Sequence, residues 1–140
     1  MKQKASAVWT GTLKEGSGVL NSDSGVIANL PYNFHNRFVG DKGATPEELV
    51  AAAHAGCFSM AFSLILQNAG LTPGKIETTA TVTLEKVGEQ MTVTTSHLDV
   101  TATVPGASEA AVLECAEKAK AGCPISRLLN AKITMDAKVA

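Results

Sequence analysis

Apolar and polar positions alternate around Val8 from Lys4 to Thr12, which predicts a strand. Gly16 and Gly18 mark a turn into a second strand near Val19 to Asn21, and a third short strand is expected near Val26 to Leu30. Together these read as an antiparallel meander. The next segment, PYNFHNRFVGDKGA, has the period of neither strand nor helix and is rich in turn formers, so it reads as a loop. The pattern then changes. In TPEELVAAAHAGCFSMAFSLILQNAG, Thr45 can cap free amides, Pro46 has no amide to satisfy, Glu48 is placed to bond back, and Gly70 tolerates the left-handed turn that ends a helix. A helix from about residue 46 to about 69 follows, about 36 Å long.

No charged side chain occurs between Leu49 and Leu66, and the apolar residues fall on every side of this helix rather than along one stripe. Such a helix is expected to be buried all round. A membrane span is the alternative, but the run is at the short limit, holds His54, Cys57, Ser59 and Ser63, and lacks flanking basic residues. A domain of this size is only about as wide as the helix is long, so a second subunit is expected to complete the cover. Ala51, Ala52, Ala53, Ala55, Gly56 and Ala61 would let another backbone come close.

Beyond the helix, Ile76, Ala80, Val82 and Leu84 alternate with Glu77, Thr79, Thr81, Thr83 and Glu85, and Gly88–Glu89 turns the chain back. The return strand carries Met91 and Val93 in one phase and Leu98, Val100, Ala102 and Val104 in the other. An added residue is therefore expected near Thr95 or Ser96, as a bulge. Ser108 caps a second helix to about Ala121, with Ala111, Val112, Cys115, Ala116 and Ala119 on its apolar stripe. Pro124 opens a short third helix to about Asn130, and Ile133, Met135, Ala137 and Val139 alternate in a last strand. This order is α+β in a single domain of residues 1–140, not the regular alternation of a doubly wound sheet.

A chain of 140 residues that is 45% hydrophobic can build one real core. A formal net charge of −1 with mixed signs leaves no basic footprint for nucleic acid. The N-terminus lacks an apolar run of signal-peptide length, and an odd number of cysteines makes no secreted disulfide framework, so a cytoplasmic protein is expected. In a reducing compartment a cysteine that matters does so through reactivity or metal.

Cys115, on the stripe of the second helix, reads as a buried structural thiol. Cys123, between Gly122 and Pro124, sits at the cap of the third helix, where free amides and the helix dipole stabilise a thiolate. Cys57 lies mid-helix in apolar surroundings, which alone would raise its pKa and make it inert. It needs a cation from elsewhere. Arg37, flanked by Phe34 and Phe38 that fold its loop onto apolar surface, is the best supplier. His54 precedes Cys57 by one helical turn, so a Cys–His nucleophile pair is conceivable, although a hydrogen-bonded core histidine is the plainer reading. Zinc held by His54, Cys57 and Cys123 lacks any close-spaced cysteine pair.

TPEELVAAAHAGCFSMAFSLIL together with KAGCPISRLL resembles the OsmC/Ohr family of thiol peroxidases, which reduce organic hydroperoxides, and PYNFHNRFVGDKG resembles its osmotically inducible OsmC branch. The resemblance implies an OsmC-like fold, with antiparallel sheets packed on a long central helix in an intertwined homodimer. It implies Cys57 as the peroxidatic thiol, Cys123 as the resolving thiol, and Arg37 and Glu47 completing the site, with Glu48 the neighbouring alternative to Glu47. The Ohr branch takes its arginine from the first hairpin, where this chain has TLKEGSG. The family further implies a dithiol reductant of the lipoyl type, such as a lipoylated protein, rather than a bound cofactor.

Phe34, Phe38, Phe58 and Met60 are candidates for an apolar pocket beside the thiol, favouring alkyl or lipid hydroperoxides. Ten helical steps separate Glu47 from Cys57, about 15 Å of rise. Each site is therefore expected to combine Cys57 and Cys123 of one subunit with Glu47 and Arg37 of the other, unless the helix kinks near Ala53–His54. The rival readings are a hydrolase using Cys57 and His54, and a non-enzymatic dimeric ligand-binding stress protein.

Overall fold

A computed structural model describes all of residues 1–140 and divides the chain into two compact units, Met1–Leu49 and Val50–Ala140. In the first unit, β1 (Ala5–Thr10), β2 (Ser17–Ser22) and β3 (Leu30–Asn33) form the expected antiparallel meander in the order β1-β2-β3. The third strand begins where it was expected to end. Val26–Asn29 instead closes the connection: the Ser22 amide donates to the Ile27 carbonyl, the Ile27 amide donates to Ser22 Oγ, and Asn29 turns at φ 51°, a left-handed value that asparagine tolerates. The expected loop after it holds a short helix, α1 (Phe34–Phe38), capped by Asn33, whose side chain accepts from the Asn36 amide.

The long helix, α2, spans Pro46–Asn68. Thr45 Oγ1 accepts from the Glu48 amide at 3.1 Å, and Gly70 closes the end at φ 76° while the Leu71 amide reaches back to the Leu66 carbonyl. Backbone pairing runs unbroken through Ala53 and His54, so no interruption falls there. One chain by itself covers a single face of this helix. Within one chain only His54, Phe58, Phe62 and Leu66 are buried, a single stripe at intervals of four, while Met60 is 77% and Leu64 57% exposed. The helix is long and apolar enough to cross a membrane by length and composition, and its buried stripe packs into the apolar core.

In the second unit, β4 (Lys75–Val87) and β5 (Gln90–Thr103) form the hairpin, and the extra residue is Thr94, one position before the expected place. Helix α3 (Glu109–Gly122) starts at Ser108 and buries Val112, Cys115, Ala116 and Ala119; α4 (Pro124–Leu128) follows at once. The last strand, β6 (Lys132–Val139), runs parallel to β5, so this sheet is mixed rather than antiparallel. The reason is the two-helix connection: a crossover of this length returns the chain in its original direction, whereas a tight hairpin reverses it. Leu98, Val100 and Ala102 of β5 face inward beside Met135, Ala137 and Val139 of β6 and meet the α2 stripe in one apolar cluster. Each fully buried Phe or Leu there contributes about 1.5–3 kcal/mol.

Candidate active site

Two side chains 66 residues apart in sequence meet between α2 and α4. Cys123 is wholly buried at the cap shared by α3 and α4, its amide bonded to the Ala119 carbonyl and its carbonyl accepting from Arg127. Its thiol contacts Cys57 with the two sulfurs 2.9 Å apart. All three cysteines are free. Burial pushes the Cys57 thiol above its usual range and the adjacent Cys123 raises it further, while the Ile125 amide in the first turn of α4 opposes both by bonding to the sulfur. The free amide of α4 was expected to serve Cys123. It serves Cys57 instead, because Cys123 is the residue before the helix and its own side chain makes no capping bond.

His54 does not pair with Cys57. Its Nδ1 lies 2.7 Å from Ser96 Oγ on β5 and its Nε2 2.8 Å from Ser126 Oγ on α4, with the ring wholly buried. Burial lowers its pKa, which keeps the ring neutral, with one nitrogen donating and the other accepting. Both nitrogens are occupied. That removes the geometry needed for a Cys57–His54 nucleophile pair and for zinc held by His54, Cys57 and Cys123. Elsewhere His97, Asp99 and Asp136 bring three donor atoms within 4.8 Å on the outer face of the second sheet, in an exposed position where His97 Nδ1 bonds Thr134.

In the first unit Arg37 grips Glu47. Nη2 reaches Oε1 at 2.6 Å and Nε reaches both carboxylate oxygens at 3.2 Å, a two-pronged contact made by Glu47 and not by Glu48. The guanidinium also lies over the Phe38 ring, 5.2 Å from its centroid. Arg37, Phe34 and Phe38 line a cavity of about 250 Å³ with Trp9, Leu13, Tyr32 and Asn33. Trp9 and Tyr32 were not anticipated. The available signal was Gly18, which sits across from both in the strand register; a Cβ there would come within 2.5 Å of Tyr32 and 2.9 Å of Trp9.

The four expected pocket residues separate. Phe34 and Phe38 stack 5.0 Å apart in the cavity just described, and exposed Met60 borders an apolar groove with Cys57, Ala61, Leu64 and Pro124. Phe58 is not a pocket residue: it is wholly buried with its ring 5.6 Å from Phe62, because its position in α2 points it along the core stripe. Each pair of chemical groups is thus assembled inside its own unit, Arg37 with Glu47 and Cys57 with Cys123.

Residues 39–138 match the family model of OsmC-like proteins. The chain is 48% identical over 134 residues to the peroxiredoxin OsmC of Escherichia coli strain K12, covering 96% of this chain and 94% of that protein. It is 34% identical over 101 residues to the organic hydroperoxide resistance protein-like 1 of Staphylococcus saprophyticus, covering 71% of each. Among solved structures, an OsmC-like protein of Vibrio cholerae superposes with a TM-score of 0.76 at 17% identity, over 98% of this chain and 99% of that one, a likeness of fold. With its two closely apposed cysteines and a family match over most of its length, the chain belongs to the OsmC-like protein family.

Proposed function

We propose that this chain is a cysteine-based peroxidase that reduces organic hydroperoxides to alcohols, with residues 1–140 working as one domain in the cytosol. The observation that carries the reading is the 2.9 Å separation of the Cys57 and Cys123 sulfurs. Two thiols so close can pass from sulfenic acid to disulfide with little movement.

In this mechanism Cys57 attacks the outer peroxide oxygen as a thiolate. The oxygen–oxygen bond breaks, Cys57 becomes a sulfenic acid, and the alkoxide leaves as alcohol after protonation. Burial alone opposes the thiolate, so Arg37 supplies the compensating charge and stabilises the departing oxygen, while Glu47 orients the guanidinium. The Arg37–Glu47 contact uses Nε and Nη2, which leaves Nη1 for an anion. Cys123 then displaces water from the sulfenic acid to form the disulfide. An external dithiol, such as a lipoylated protein, restores both thiols by exchange.

The protein acts as a homodimer, and each site combines Cys57 and Cys123 of one subunit with Arg37 and Glu47 of the other. What supports this is the exposed apolar face of α2 around Met60 and Leu64. The apolar cavity of Phe34 and Phe38 then favours bulky alkyl or lipid hydroperoxides. A hydrolase reading is disfavoured because both His54 nitrogens are engaged by serines. Stopped-flow turnover with cumene hydroperoxide and hydrogen peroxide tests the function. Faster turnover of the bulky substrate, abolished in Cys57→Ser, is expected; steady-state activity surviving in that variant removes Cys57 as the nucleophile.

A further inference from the structure

The buried imidazole of His54 has no part in the chemistry above, yet its position is regular. His54 and Cys57 are three residues apart on α2, and Cys123 and Ser126 are three apart at the start of α4. Residues at this spacing share one helix face. The two faces meet at both points: Cys57 against Cys123 with sulfurs 2.9 Å apart, and one turn away His54 Nε2 against Ser126 Oγ at 2.8 Å. The other ring nitrogen is anchored to Ser96 Oγ on β5, a wholly buried serine in the central strand of its sheet.

From this arrangement we infer that the Ser96–His54–Ser126 chain is a positioning brace that sets the Cys57–Cys123 separation and so governs formation of their disulfide. A thiol pair forms a bond only if the sulfurs close to about 2.05 Å, within about 0.9 Å of where they stand. α4 is only five residues long: the Cys123 amide ties it to α3, Ile125 packs on the core with its amide on the Cys57 sulfur, and the Ser126 hydroxyl links the same turn through His54 to β5. The neutral ring, holding one hydroxyl as donor and the other as acceptor, fixes that turn against α2. Ser126 is the joint. Releasing it lets Cys123 drift from Cys57 without touching either sulfur. The step affected is condensation of Cys57 sulfenic acid with the Cys123 thiol to give disulfide and water, or, without peroxide, exchange with oxidised glutathione to give the same disulfide and two reduced glutathiones.

The part concerning sulfenic acid rests on the peroxidase reading; the part concerning the thiol pair does not, and the experiment separates them. Ser126→Ala, Ser96→Ala and Ser126→Thr are compared with the unaltered protein in a glutathione redox buffer, and by stopped flow with cumene hydroperoxide and a sulfenic-acid trap. Ser126→Ala is expected to lower the disulfide equilibrium constant about tenfold, slow the disulfide step about tenfold and raise trapped sulfenic acid, with the peroxide step changed less than about threefold. Ser96→Ala reads the brace from its other end and shifts the same quantities in the same direction, which serves as the test should Ser126→Ala fold poorly. Ser126→Thr, which keeps the hydroxyl, restores them. An equilibrium constant in the folded alanine variants within twofold of the unaltered protein overturns the inference, as does equal slowing of both steps. A shifted redox equilibrium in a protein that consumes no hydroperoxide leaves the brace standing and sinks the peroxidase reading instead.

Discussion

Oxidising Cys57 and Cys123 to a disulfide is expected to stabilise the fold strongly, because the bond would join positions 66 residues apart. A loop of that size removes about 4 kcal/mol of chain entropy from the unfolded state. The native state opposes little, since the sulfurs already lie 2.9 Å apart and need to close by only about 0.9 Å. For 140 residues an unfolding entropy of about 0.3 kcal/mol/K converts this gain into a rise of about 15 °C in Tm. The assay is a calorimetric melt of the protein oxidised with one equivalent of hydroperoxide and of the protein kept reduced, both at one concentration so that association does not move the midpoint. The Cys123→Ser variant should show no such difference. An oxidised form melting at or below the reduced one would mean that closing the bond strains the native state, and the picture of two sulfurs poised for pairing would be wrong.

Other expectations follow from single contacts. Glu47→Gln keeps the shape of the Arg37 partner and removes its charge, so kcat/KM for alkyl hydroperoxide should fall about tenfold while Tm falls by no more than about 3 °C, because a partly exposed ion pair contributes at most about 1 kcal/mol to folding. Phe58→Ala should cost about 3–5 kcal/mol by chemical denaturation and leave the ratio of alkyl to hydrogen peroxide turnover unchanged; a change in that ratio would return Phe58 to the pocket. His54 has its pKa lowered on folding from an ordinary value of 6.5, so the unfolded chain binds the extra proton; stability is full above that value and declines as pH falls below it. Urea unfolding between pH 7.5 and pH 5 should show this decline, and His54→Gln should flatten it.

Much of this fold was legible wherever the signal was local. The caps at Thr45 and Ser108, the closing turn at Gly70 and the alternation in β4 and β6 each depend on neighbours a few residues away, and each stands where the pattern put it. Strand direction was not legible, since alternation in Lys132–Val139 is the same whether β6 runs with β5 or against it. How α2 is covered was less legible, for a physical reason. Apolar residues all round imply that every face is covered, but not whether one chain or two provide the cover, and within one chain the cover reaches only the stripe from His54 to Leu66. At the candidate site, Cys57, Cys123, Arg37 and Glu47 could be singled out from residue type and resemblance. The serines that hold His54 lie 42 and 72 positions away and carry no mark in the sequence that distinguishes them from surface serines.

The central claim, that Cys57 and Cys123 form one redox unit while Cys115 is part of the core, is tested most directly by counting and mapping thiols after one equivalent of cumene hydroperoxide. Two thiols lost per chain, with a peptide link joining Cys57 to Cys123 and Cys115 still alkylatable after unfolding, is the expected result. A link to Cys115, or a full complement of three free thiols beside consumed peroxide, would contradict it.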